Sequence, residues 1–232
     1  MKRILTTLSY VVPVVLILGG AAYGTRQILF ESEPRTASAA VRTQRDQSPG
    51  PKATDDVAMV GDSITENSEA ALRDAIGKGY KVNLRARGGY RVQEMEPYAI
   101  ELSTTGPEQV VINLGTNDVL QSWPLDESIA TFDRMVKSFS GATCVHVVTI
   151  NEQMSAERAP GVHERAAAFN ERLRQVAADN GVDVIDWATT VNDDVAAGSK
   201  KGGLTTDSIH PNSLGKHELG SMISNALNAC QG

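Results

Sequence analysis

The sequence holds few of the residues that build a metal centre. Its 232 residues include four histidines and two cysteines. Apart from one Asp-x-x-His pair near the carboxyl end, no His, Cys or Asp cluster has metal-ligand spacing, so no metal is expected. Positive charge is also scarce, with 22 Lys and Arg against 28 Asp and Glu and a net charge of −6. Residues 1–54 carry seven basic and three acidic side chains, which leaves 15 basic and 25 acidic from Asp55 onward. A body of net −10 repels phosphate backbones, which excludes nucleic acid as a partner. No internal repeat is present, which sets repeat architectures aside.

Two further absences divide the chain. Residues 31–54 are rich in Ser, Ala, Thr, Pro and charge and almost lack large apolar side chains. Such a stretch cannot bury enough surface to offset its ordering entropy, and it reads as a flexible linker. Residues 4–25 lack charge altogether and follow Lys2 and Arg3. That length is about what a spanning helix needs, roughly 20 residues. Two readings of residues 1–30 stay open: an uncleaved membrane anchor with its amino end inside, or an export signal cleaved near Ala22-Tyr23-Gly24. Both put the body, residues 55–232, outside the cytoplasm.

In the body, apolar runs alternate with longer amphipathic stretches. Strands are expected over 57–60, 81–86, 109–114, 144–150 and 182–186, and helices over 66–76, 92–102, 125–139, 163–180 and 214–227. The alternation predicts an α/β fold, one domain with a five-stranded parallel sheet and helices on both faces. Ligands of such sheets bind beyond the carboxyl ends of the strands. Four polar clusters fall there: Gly61-Asp62-Ser63 after the first strand, Arg87-Gly88-Gly89-Tyr90 after the second, Gly115-Thr116-Asn117-Asp118 after the third, and Asp207-Ser208-Ile209-His210-Pro211 ahead of the last helix.

Together these clusters meet the needs of acyl transfer by a serine. Ser63 supplies the hydroxyl at a strand end, beside the positive end of the following helix. His210 is the base, and Asp207 can hold its other ring nitrogen from the same turn. The backbone N–H groups of Ser63 and Gly89 and the side-chain amide of Asn117 are the donors for an oxyanion. Each cluster alone also has a bland reading: a helix cap at Gly-Asp-Ser, a Gly-Gly turn, an Asn-Asp loop, a local Asp–His contact.

In this order the blocks Gly61-Asp62-Ser63-Ile64-Thr65, Gly89, Gly115-Thr116-Asn117-Asp118 and Asp207-x-x-His210-Pro211 resemble the SGNH hydrolases, also called GDSL esterases or lipases. Either Gly88 or Gly89 fits the glycine block; Gly89 is chosen because the family's glycine directly precedes a polar turn into the next helix. Tyr90-Arg91 is less usual there than small polar residues. The resemblance implies a flavodoxin-like three-layer fold and a serine mechanism without metal or cofactor, acting on acyl esters. Ser63, Asp207 and His210 are then the triad, with Ser63, Gly89 and Asn117 around the oxyanion. The expected partner is an ester substrate, and the location adds a cell-envelope glycan or lipid. An O-acyltransferase with the same triad is the nearest rival. A non-catalytic glycan- or lipid-binding domain is the more distant one.

Other residues read as supporting. His146 falls in an apolar strand as a satisfied core residue, and His163 and His217 fall on helix surfaces. Asp62 caps a helix, and Asp118 fixes the loop that carries Asn117. Trp123 either overhangs the pocket or simply packs. Met154, in the loop over 151–160, shapes the acyl site, and Asp193-Asp194 is solvated. Cys144 and Cys230 belong to the end of the sheet opposite the active rim, where a disulfide and two separate thiols are both open.

Overall fold

The computed structural model describes residues 55–230, apart from 156, 158 and 199–202. The anchor or signal read over 1–30 and the linker read over 31–54 lie outside the described residues. Among the described residues no helix is long and apolar enough to cross a membrane.

Strands β1 (Asp55–Gly61), β2 (Tyr80–Ala86), β3 (Gln109–Asn113), β4 (Cys144–Val148) and β5 (Asp183–Ile185) form one sheet in the order β2-β1-β3-β4-β5. Every neighbouring pair is parallel. This is the flavodoxin-like order, whose switch point lies between β1 and β3. The register sets Gly61 beside Asn113 there. Ser63 follows one of those strands and Asn117 the other, so the fold itself brings the two clusters to one crevice.

The central strands explain why the apolar runs were legible. Val57, Ala58, Met59 and Val60 are at most 1% exposed, and all of β3 is buried. A parallel sheet covered on both faces calls for continuous apolar runs rather than alternation. On one face α2 (Glu69–Ile76) packs against α8 (Ser213–Ala229); on the other α3 (Val92–Ser103), α5 (Leu125–Ser138) and α6 (Val162–Asn180) lie side by side.

The structure adds three short helices. The helix expected over 66–76 is two: α1 (Ser63–Glu66), then a break at Asn67-Ser68 before α2. α4 (Thr116–Leu120) occupies the expected Asn-Asp loop, and α7 (Trp187–Ala196) follows β5 directly. The Asp186 carboxylate accepts the Thr189 N–H and caps α7, so the strand expected over 182–186 ends at Ile185. At the far end of the sheet Cys144 and Cys230 are joined in a disulfide, which tethers the end of α8 to the start of β4.

Candidate active site

Ser63 owes its position to the turn that closes β1. A Cβ on Gly61 would come within 2.1 Å of Thr65 Oγ1, so only glycine lets the chain double back this tightly. Thr65 Oγ1 in turn accepts from Asn113 Nδ2 at 3.1 Å, tying α1 to the end of β3. The Asp62 carboxylate accepts the Ile64 N–H at 2.9 Å and caps α1. Ser63 is the first residue of that helix, and among the described residues its own N–H meets no acceptor. Asp62 is fully buried. That burial, opposed by the Ile64 N–H, pushes its carboxyl up to about 7.

The histidine arrives from the opposite end of the chain. Asp207 Oδ1 accepts the N–H groups of Ile209 at 3.1 Å and His210 at 2.8 Å, which winds the segment into a tight turn. Its Oδ2 lies 2.9 Å from His210 Nδ1, and His210 Nε2 lies 3.0 Å from Ser63 Oγ. Partial burial works against ionisation of Asp207, but the N–H and ring of His210 outweigh it and hold the carboxyl down to about 2. An ionised acceptor at Nδ1 fixes the tautomer with its proton there. Nε2 is left as the acceptor facing the serine.

The turn is held from outside. Ser208 has a φ of 67°, a left-handed conformation that a serine adopts only at a cost. Asn151 Nδ2 donates to its carbonyl and the Ser155 N–H to its hydroxyl, both at 2.9 Å. Asn212 accepts from Leu214 and Gly215 and caps α8 directly behind the turn.

Asn117 lies in the first turn of α4. Gly115 precedes it with a φ of 119°, and a Cβ there would meet the Phe169 ring at 2.3 Å. Asn117 Nδ2 donates to the Tyr90 carbonyl at 2.9 Å, which orients the amide and leaves its second N–H available. Asp118 accepts the Val92 N–H at 3.0 Å and the Ser128 hydroxyl at 2.5 Å, so it fixes α4 to α3 and α5, as expected of it. Burial raises its pKa against those two bonds.

The glycine pair divides its roles. Gly88 is the one beside Ser63: a Cβ on it would lie 3.7 Å from that of Ser63. Its N–H, however, already donates to Glu66 Oε2 at 2.8 Å. Gly89 has a φ of 81° with open space around it, and among the described residues its N–H meets no acceptor. Its carbonyl accepts from Gln121 Nε2 at 3.0 Å. Of the predicted residues, Ser63, His210 and Asp207 thus form one hydrogen-bonded line, and the turn at 88–90 is bound to the α4 segment that carries Asn117.

The family model of the GDSL-like lipases and acylhydrolases matches residues 59–217, which span every one of these clusters. The chain belongs to the GDSL-like lipase/acylhydrolase family. Its members act on ester bonds, and this protein is accordingly a carboxylic ester hydrolase. No curated protein matches it by sequence. Among solved structures it is similar to a GDSL-like lipase from Bacteroides thetaiotaomicron, at 20% identity and a TM-score of 0.66, over 76% of this chain and 89% of that one. It is also similar to Axe2, an acetylxylan esterase from Geobacillus stearothermophilus, at 18% identity and a TM-score of 0.64, over 76% and 95%. The acetyl xylan esterase AlAXEase follows at 20% and 0.62, over 74% and 99%. At such identities these structures establish a shared fold.

Several expectations need correction in this GDSL fold. His146 is a core residue but not a satisfied one: among the described residues neither ring nitrogen has a hydrogen-bond partner, and Asp183 Oδ2 lies 3.5 Å from Nδ1. Burial lowers its pKa, which suits a neutral ring. Met154 is wholly buried and so belongs to the core rather than to an open acyl site. Asp194 is only half-exposed. Trp123 is 36% exposed and packs beneath the Arg91 guanidinium, 3.8 Å from its ring centre. Sequence reasoning missed Glu66 and the Asn151 clamp, because both act across folds of the chain that no local spacing encodes.

Proposed function

We propose that the protein is an extracytoplasmic serine esterase that removes acetyl or other short acyl groups from a cell-envelope glycan or glycolipid. One observation carries the mechanism: the His210 imidazole bridges Ser63 Oγ at 3.0 Å and Asp207 Oδ2 at 2.9 Å. Nε2 takes the serine proton as Oγ bonds to the acyl carbon, and the carbonyl electron pair moves onto oxygen. The oxyanion accepts from the Ser63 N–H, the free N–H of Asn117 and the Gly89 N–H. Collapse breaks the bond to the alcohol oxygen, which receives the proton from Nε2. Water, deprotonated by the same nitrogen, then releases the acid and restores Ser63. Asp207, ionised throughout, stabilises the imidazolium.

The location rests on residues 1–30 and gains support from the disulfide, since such bonds persist in oxidising compartments. The glycan ester draws support from the location and from the acetylxylan esterases that share the fold. A series of p-nitrophenyl esters from acetate to palmitate, run on the wild type and on Ser63→Ala, tests the reading. Turnover is expected to be greatest with the short esters and to fall by at least about 10⁴-fold in the variant. Retained turnover in Ser63→Ala would overturn the mechanism.

A further inference from the structure

A polar groove opens along the β2 edge of the sheet. It has a volume of about 350 Å³ and is lined by Glu66 and Glu69 from α1 and α2, by Arg85 and Arg87 at the end of β2, and by Tyr98 of α3, over Leu84 and Ala86. Its inner end is coupled to the reaction centre by one contact already described. Glu66 lies three residues after Ser63 in the same helix, and its carboxylate holds the N–H of Gly88, the glycine against Ser63. Arg87 is the adjoining residue, and its backbone N–H donates to the Gly61 carbonyl at 3.1 Å. Glu66 and Arg87 thus carry the wall of the groove up to the glycine that stands against Ser63.

The chemistry of the walls selects the alcohol. Two carboxylates face two guanidinium groups, so the groove has no net formal charge and does not favour an ionic ligand. Glu69 is pinned by Arg73 at 2.8 Å, and Arg85 is pinned by Glu101 at 2.9 Å and by Asn83. These groups are therefore fixed acceptors and donors rather than mobile charges. Glu66 uses one carboxylate oxygen on Gly88 and leaves the other, while Arg87 has no ion-pair partner among the described residues. An acyl tail laid here would desolvate charged groups without replacing their hydrogen bonds, which is costly. A neutral, polyhydroxylated ring replaces them: its hydroxyls donate to carboxylates and accept from guanidinium, and its apolar face meets Tyr98 and Leu84. The volume lies within the range of small-ligand sites, roughly 300–1,000 Å³.

Resting on the esterase reading above, we propose that this groove is the alcohol-side subsite and binds the neutral sugar unit that carries the acyl group, with Arg87 as its main specificity determinant. Steady-state kinetics on an acetylated xylo-oligosaccharide and on p-nitrophenyl acetate test this with wild type, Arg87→Met and Arg87→Lys. KM for the sugar ester is expected to rise about tenfold in Arg87→Met, with a several-fold smaller change for the nitrophenyl ester, and Arg87→Lys should recover part of the loss. Equal changes on both substrates, or a wild type that cleaves only the nitrophenyl ester, overturn the subsite. Binding of the deacetylated oligosaccharide to Ser63→Ala, with and without Arg87→Met, gives a readout independent of turnover. Weakened binding in the double variant supports the groove even if the wild type cleaves neither ester, a result that would defeat the esterase reading alone. No binding to Ser63→Ala, or binding indifferent to Arg87, defeats the groove.

Discussion

Asp62 and Asp207 flank Ser63 and His210, and their carboxyls are displaced in opposite directions. Asp62 is raised from 3.8 to about 7 by burial, so the fold favours its neutral form. That contribution to stability is complete below about pH 4 and is lost as pH rises towards 7. For a fully buried carboxyl a rise of this size is worth a few kcal/mol, on the order of 4. Asp62→Asn keeps an oxygen to accept the Ile64 N–H and cannot ionise. Urea midpoints measured from pH 4 to pH 8 should therefore fall less with rising pH in the variant than in the wild type; parallel profiles would refute the assignment. Asp207 behaves in the reverse sense. Held down to about 2, it stabilises the fold above about pH 4 and loses that contribution as pH falls towards 2. Being partly exposed, it does so more weakly. Its larger effect is on catalysis, because it sets the tautomer of His210. Asp207→Asn is expected to lower kcat roughly 10⁴-fold with the fold intact. Asn117→Ala, which removes one proposed oxyanion donor, should cost about 10²- to 10³-fold in kcat and little in KM.

Individual elements explain what the sequence could and could not reveal. β1 and β3 were legible because a strand covered on both faces is largely apolar, as 57–60 and 110–112 are. Their shared rim was legible because parallel strands gather their carboxyl ends on one side. The polar clusters at those ends then had to be neighbours. α4 and α7 were illegible for the opposite reason: each is short, and its start is fixed by a backbone turn or a single cap rather than by periodicity. Asn151 clamps a carbonyl 57 positions away, and no pattern along the chain announces such a contact. At α4 the tight packing yields a test. Gly115→Ala combines a left-handed backbone with a Cβ driven to 2.3 Å from the Phe169 ring. It should cost about 1–3 kcal/mol in urea unfolding and also lower kcat, because α4 carries Asn117. Gly106 has a φ of 64° and, among the described residues, no atom within 4 Å of an added Cβ, so Gly106→Ala isolates the backbone strain, about 1–2 kcal/mol, with turnover expected to hold.

At the scale of the whole molecule, the chemistry and the cross-link occupy opposite ends of the sheet. Ser63, Asn117 and His210 stand at the carboxyl edge, whereas Cys144 begins β4 and Cys230 follows the end of α8. The same helix begins just after His210, so α8 connects the two ends. The disulfide closes a loop across 86 positions, which restricts the unfolded chain and is typically worth about 2–4 kcal/mol. For a body of this size that corresponds to a melting temperature lower by about 5–15 °C once the bond is gone. Reduction should therefore leave esterase activity at 25 °C nearly intact while bringing thermal inactivation forward. Cys144→Ser with Cys230→Ser should reproduce the reduced wild type and be insensitive to reductant. A reduced protein that melts with the oxidised one would show that packing of α8 against α2, where Gly220 lets the helices approach Ala71 and Ala75, holds the chain end without the cross-link. The cross-link also reports location. Trapping thiols in intact cells should find both cysteines blocked if the body lies beyond the membrane, and the chain should shed its protection when expression is confined to a reducing cytoplasm.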